Sequence, residues 1–148
     1  MRPVLILAAS LALTAGGASA KDADSLDWSA ARTLPLDQPQ YIGEVEVACT
    51  GIGQTRADPQ WRSFAVRLEF ANRGAEYLAG AIVHLADARG RPLLTVSCDA
   101  PWVLLRLEPG SYRVQARLTE APNAAPRSAS ISPPRSGQSR VVLTFPDA

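Results

Sequence analysis

Between residues 103 and 118 apolar side chains recur at every second position on both sides of a turn, and nothing else in the chain constrains its fold as tightly. Val103, Leu105 and Leu107 alternate with Leu104 and Arg106; Glu108-Pro109-Gly110-Ser111 reverses the chain; Tyr112, Val114, Ala116 and Leu118 then alternate with Arg113, Gln115 and Arg117. A period of two sends alternate side chains to opposite faces of a strand, whereas a helix needs apolar residues three and four apart. The stretch predicts a β-hairpin with one buried and one wet face.

The same period runs through most of the chain. Residues 41–48 alternate Val45 and Val47 with Glu44 and Glu46 and predict a first strand. Phe64, Val66, Leu68 and Phe70 define one face of the next, with Ala65, Arg67 and Glu69 on the other. Asn72-Arg73-Gly74 turns the chain, and Ala81, Val83 and Leu85 point inward on a strand whose His84 points outward. Asp87-Ala88-Arg89-Gly90 is a tight turn with Gly at the position that accepts unusual backbone angles. Leu94, Val96 and Cys98 follow, and later Ala129 with Ile131 and Val141 with Leu143 and Phe145 close the core. Residues 54–62 predict one or two helical turns interrupted at Asp58-Pro59. About seven strands joined by short turns predict an all-β Greek-key sandwich rather than a barrel.

The first residues are expected to be removed. Met1-Arg2 is a short basic start, residues 4–13 form an apolar run, and Ala18-Ser19-Ala20 is the small-residue pattern of a signal-peptidase cut, with Ala18 and Ala20 at the recognised positions. This reading divides the chain into a signal peptide over 1–20, an extended or poorly ordered arm over 21–40 that carries Trp28, and one sandwich domain over 41–148. An apolar run of about ten residues is too short to span the roughly 30 Å hydrocarbon layer as a permanent helix. The expected location is the periplasm or the medium. Loss of Arg2 leaves fourteen basic against fourteen acidic residues, so the mature chain lacks the basic surface that nucleic-acid binding uses.

Cys49 and Cys98 are the two cysteines, and a pair in an oxidising compartment is most simply a disulfide, two buried thiols being the other arrangement. Each precedes a loop motif, Thr50-Gly51-Ile52-Gly53 and Asp99-Ala100-Pro101-Trp102, so a bridge would fasten two loops at one end of the sandwich.

Catalytic sets are missing from the pattern. The one His, His84, has no nucleophile elbow to serve, and one His with two Cys and scattered carboxylates makes a poor zinc site. Gly51-Ile52-Gly53 does not open a helix after a parallel strand, as a phosphate-cradling loop must. Glu44 and Glu46 share a strand face and read as a solvated edge. No enzyme activity and no cofactor are expected. The candidate binding surface is instead Gly51, Ile52 and Gly53 with Trp61 and Trp102, because an exposed indole near a loop end is a stacking platform for a sugar or a partner. The opposite reading has Trp61 and residues 54–62 folded over Trp102 as a lid. Two functions follow: a module that binds another protein in the cell envelope, or a carbohydrate-binding module for glycan or peptidoglycan.

The motifs assembled so far resemble the carboxypeptidase regulatory-like domains, transthyretin-like seven-stranded sandwiches found beside metallocarboxypeptidases and as free-standing exported bacterial proteins. Leu107-Glu108-Pro109-Gly110-Ser111-Tyr112-Arg113-Val114-Gln115-Ala116 looks like that family's L-x-P-G-x-Y-x-V-x-A signature, and Ala79-Gly80-Ala81-Ile82-Val83 leading to Asp87-Ala88-Arg89-Gly90 is similar as well. A subgroup of small exported proteobacterial proteins looks closer still through Tyr77-Leu78-Ala79, Gly51-Ile52-Gly53 and Asp99-x-Pro101-Trp102, with Ala100 standing where that subgroup commonly has Gly. The resemblance covers about residues 41–145, and it implies a sandwich fold and no reaction.

Overall fold

The computed structural model describes residues 26–146 and 148, so the expected signal peptide and its cut at Ala18 and Ala20 lie outside the described residues. Among the described residues there are ten strands: β1 (Arg32–Thr33), β2 (Gln40–Ile42), β3 (Val45–Thr50), β4 (Val66–Asn72), β5 (Ala81–Asp87), β6 (Pro92–Cys98), β7 (Trp102–Arg106), β8 (Tyr112–Leu118), β9 (Arg127–Ile131) and β10 (Ser139–Phe145). They form two five-stranded sheets, β1-β6-β5-β8-β9 and β10-β4-β7-β3-β2, each mixed because β1 runs parallel to β6 and β10 parallel to β4. Helical structure among the described residues is confined to three short 3₁₀ turns, Trp28–Ala30, Gly53–Ala57 and Pro59–Ser63, the last two separated by Asp58. The all-β reading holds.

Two of the ten strands were not expected as separate elements. Residues 41–48 are not one strand: Gly43, at φ +58°, folds them into an antiparallel hairpin in which Tyr41 faces Glu46 and Ile42 faces Val45. A positive φ is nearly free for a residue without a Cβ, so glycine sets this turn. The preceding residues supply β1, which lies against Val96 and Ser97.

The predicted hairpin over 103–118 is overturned: β7 and β8 sit in opposite sheets. Their apolar faces meet across the sandwich, and the Glu108-Pro109-Gly110-Ser111 stretch is an arch between sheets, fastened where the Tyr112 hydroxyl donates to the Glu108 carbonyl oxygen at 2.9 Å. Alternation fixes which face is buried but not whether the neighbour lies beside a strand or about 10 Å across the core. The residues Trp102 and Leu104 on the second face of β7 carried the missing information. That strand is buried on both faces from Trp102 to Leu105 and takes the centre of its sheet, paired with β3 on one edge and β4 on the other.

Between the sheets lies one core that includes Val47, Val66, Leu68, Phe70, Val83, Leu85, Val96, Val103, Leu105 and Val114, all fully buried. Cys49 and Cys98 form a disulfide within it. The bridge ties β3 of one sheet to β6 of the other, so it joins strands across the core rather than fastening two end loops.

Residues 32–42 strap the upper half of one side of the sandwich. The Leu34 N–H donates to Ser97 O at 2.9 Å and its side chain, 4 % exposed, enters the core. Leu36 then bridges to Cys49, the Asp37 N–H donates to Cys49 O at 2.8 Å, and the Thr50 hydroxyl donates to the Asp37 carboxylate at 2.6 Å. The chain has crossed from the edge of one sheet to the edge of the other.

Three outward residues are not wet. Phe64 leaves the predicted inner face of its strand and packs with Ala48, Trp61 and Leu104 on the outside of the second sheet. Glu69 is fully buried between the guanidinium groups of Arg67, 3.1 Å away, and Arg140, 2.5 Å away. His84, expected at the surface, is 8 % exposed, with Nδ1 2.8 Å from the Thr95 hydroxyl. Its burial holds the imidazole below its usual pKa.

Candidate functional site

The end loops singled out by the sequence form a closed knot. Gly51 has φ +109°, and a Cβ there would stand 2.8 Å from Cγ of Trp102, so the loop backbone is pressed onto the indole and needs glycine. The Arg56 guanidinium donates to the Gly51 carbonyl from Nε at 3.1 Å and Nη2 at 2.8 Å. It also lies 5.4 Å from the ring centroids of both Trp102 and Tyr77. Arg67 stacks on the same indole at 4.4 Å, and Tyr77 meets it edge-on at 6.4 Å. Trp102 is 5 % exposed and presents no face to solvent.

Trp61 is equally withdrawn, at 4 % exposure. Its indole N–H donates to Thr55 O at 2.7 Å, and the Gln138 amide donates to Trp61 O at 2.7 Å. The expected lid exists but covers Leu104 and Ala48, while Trp102 is covered by Gly51, Arg56, Arg67 and Tyr77. The exposed-tryptophan platform is therefore corrected: the Trp102 ring is covered by guanidinium groups and loop backbone distant in sequence, and the Trp61 ring packs with Phe64, Ala48 and Leu104. Of the predicted binding loop, Ile52 projects, at 51 % exposure, and Gly53 has open space around it. Trp28 is half-buried, with the Arg117 guanidinium 5.1 Å from its ring.

The opposite end of the same side, which sequence reasoning left unread, carries a groove of about 750 Å³. Its walls are the β2–β3 hairpin with Tyr41 and Glu44, the start of β6 with Pro92 and Leu93, and the β7–β8 arch with Glu108. These pieces are brought together by the two open sheet edges. Tyr41 is the most exposed large ring, at 67 %. Two of the lining carboxylates are committed: Glu46 pairs with Arg106 at 2.5 Å, and Asp87 accepts from the backbone N–H groups of Arg89 and Arg91, each at 2.9 Å. The Arg91 backbone bond and charge, with the Arg89 N–H, hold the Asp87 carboxyl below the usual carboxylate range. Burial, then the charges of Glu108 and Asp87, push the Tyr112 hydroxyl up.

Among the described residues no three His, Cys, Asp or Glu side chains are grouped to hold a metal ion, and no helix is long and apolar enough to cross a membrane. No protein-family model matches the chain, and no curated protein matches it. The fold and site define a disulfide-linked, two-sheet β protein with a polar groove at one open side.

Proposed function

We propose that the chain is an exported, non-catalytic Greek-key sandwich of the carboxypeptidase regulatory-like type that binds another protein of the cell envelope by strand addition. The export reading rests on the residues 1–20 pattern, and the family reading on the Pro109-Gly110-x-Tyr112 arch within a two-sheet sandwich. One observation carries the binding reading: β1 pairs with β6 at Val96 and Ser97 alone, so among the described residues the outer edge of β6 from Pro92 to Leu94 has no strand beside it. Beyond the strap the edge is irregular: Pro92 has no N–H, and the shift of register between Leu85 and Ala86 breaks the two-residue alternation at Leu93, so the Thr95 N–H is the group that alternation turns outward with Ser97. Unpaired edge groups of this kind are templates for an extended segment of another chain.

The carbohydrate reading loses its platforms with the burial of Trp61 and Trp102. In cells, a photo-crosslinking amino acid at Leu93 should yield a discrete protein adduct, and one at Val142, on the far edge, should not. Adducts at Ile52 and not at Leu93 would move the interface to the end loops and overturn the edge reading. A titration with peptidoglycan fragments should leave the tryptophan fluorescence unchanged; saturable quenching would restore the glycan reading.

A further inference from the structure

Resting on that reading, we infer that the partner segment is a basic one: an extended peptide that lies in the groove beside the start of β6 and whose arginine or lysine side chains lie over Glu44 and Glu108.

The chain's own strap is the template. Arg32–Thr33 already lies along the upper part of β6, and Leu34 drops a side chain between the sheets. The groove continues the same side below the strap, where β6 faces the β2–β3 hairpin and no segment of the described chain fills the gap. A strand placed there sends alternate side chains toward the groove floor and toward solvent, with a rise of about 3.3 Å per residue.

Charge then selects the occupant. Four carboxylates and two guanidinium groups line the groove, and both guanidinium groups are engaged. Arg106 donates from Nε to Glu46, from Nη1 to Ser63 O and from Nη2 to the Ser63 hydroxyl; Arg91 pairs with Asp87 at 3.2 Å. Glu44 and Glu108 are exposed and enter no ion pair among the described residues. An acidic segment would meet two uncompensated carboxylates, while a basic one supplies the missing charge, and the exposed Tyr41 ring offers a face to a guanidinium or ammonium group. After burial, the charges of Glu108 and Asp87 also raise the Tyr112 hydroxyl on the groove wall.

Three fluorescent, end-capped nonapeptides on one alternating valine–threonine frame test this by anisotropy against the disulfide-intact mature protein. One carries arginine at the variable positions, one carries glutamate there, and one is the arginine peptide with alternate backbone amides N-methylated. The arginine peptide should bind saturably and weaken about tenfold when Glu44→Gln and Glu108→Gln are combined, both being exposed positions whose change leaves the fold intact. The glutamate peptide should not bind, and the N-methylated peptide should bind much more weakly. Equal binding of the arginine and glutamate peptides, or an unchanged affinity in the double variant, would overturn the basic-partner inference. Equal binding of the N-methylated peptide would overturn strand pairing. If no arginine peptide binds while the Leu93 crosslinker still captures a partner, this inference fails and the strand-addition reading stands; if the crosslinker captures none, that reading fails too.

Discussion

Reducing the Cys49–Cys98 bridge should cost about 4 kcal/mol of stability and leave a folded protein. The two cysteines are 49 residues apart, and closing a loop of that size in the unfolded chain removes about 14 cal/mol/K of entropy, or about 4 kcal/mol at room temperature. With an unfolding entropy near 2.1 cal/mol/K per residue, a domain the size of the described chain should melt about 15 °C lower. Reduction leaves both sulfurs in the core, so it reads the constraint with little change in packing, and the Cys98 thiol would find Ala100 O at 3.3 Å as an acceptor. The Cys49→Ala/Cys98→Ala variant adds the loss of two buried sulfurs and should be about 1 kcal/mol or more worse again. Urea unfolding of the oxidised protein, the reduced protein and the double variant separates these contributions, provided the slope of free energy on denaturant stays constant. A loss below about 1 kcal/mol on reduction would refute the reasoning. It would mean that the strap and the shared core already restrain the unfolded chain or that the bridge is strained in the folded one.

Three further outcomes can be checked by the same unfolding assay. Gly51→Ala should lose about 1–3 kcal/mol, since φ +109° and a Cβ 2.8 Å from the buried Trp102 ring both oppose a side chain, whereas Gly53→Ala, with nothing nearby, should lose less. Leu34→Ala should cost about 2–3 kcal/mol and open the strap to proteolysis between residues 26 and 40; an unchanged digestion pattern would show that β1 holds without its core anchor. Below about pH 6.5 the unfolded chain protonates His84 while the folded chain, whose buried imidazole has a lowered pKa, does not. Stability should therefore be complete above that pH and decline as pH falls until the folded-state imidazole also titrates, and His84→Gln should remove that part of the slope.

The inner faces of the strands were legible in the sequence because burial on one face writes itself as a period of two: Val66, Leu68 and Phe70, or Val83 and Leu85, lie where alternation puts them. Legibility ended where a strand has two buried faces or where burial is polar. Leu104 and Trp102 broke the alternation of β7, and that break, a sign of a central strand under a covering layer, was the signal for the interior position of β7 in its sheet. Glu69 could not be read as buried, because its neutralising partner Arg140 is supplied by a strand 71 residues later in sequence. The groove was illegible for a similar reason: Glu44, Leu93 and Glu108 meet only through the packing of one sheet on the other, and no spacing in a linear sequence records that. The exposure of Trp102 was not legible because an aromatic residue beside a loop reads the same whether solvent or arginine covers it.

The parallel pairing of β10 with β4 bears on how the protein can be made. Ser139 lies beside Val66 and Phe145 beside Asn72, so the edge of β4 stays uncovered, and Glu69 stays without Arg140, until residue 145 has been synthesised and released. A chain that emerges N-terminus first, from a ribosome or a secretion pore, cannot complete this sheet in stages. For that interval β4 exposes an apolar edge that a second nascent copy can occupy through its own β10, which makes strand-swapped dimers the expected by-product of crowded, rapid expression.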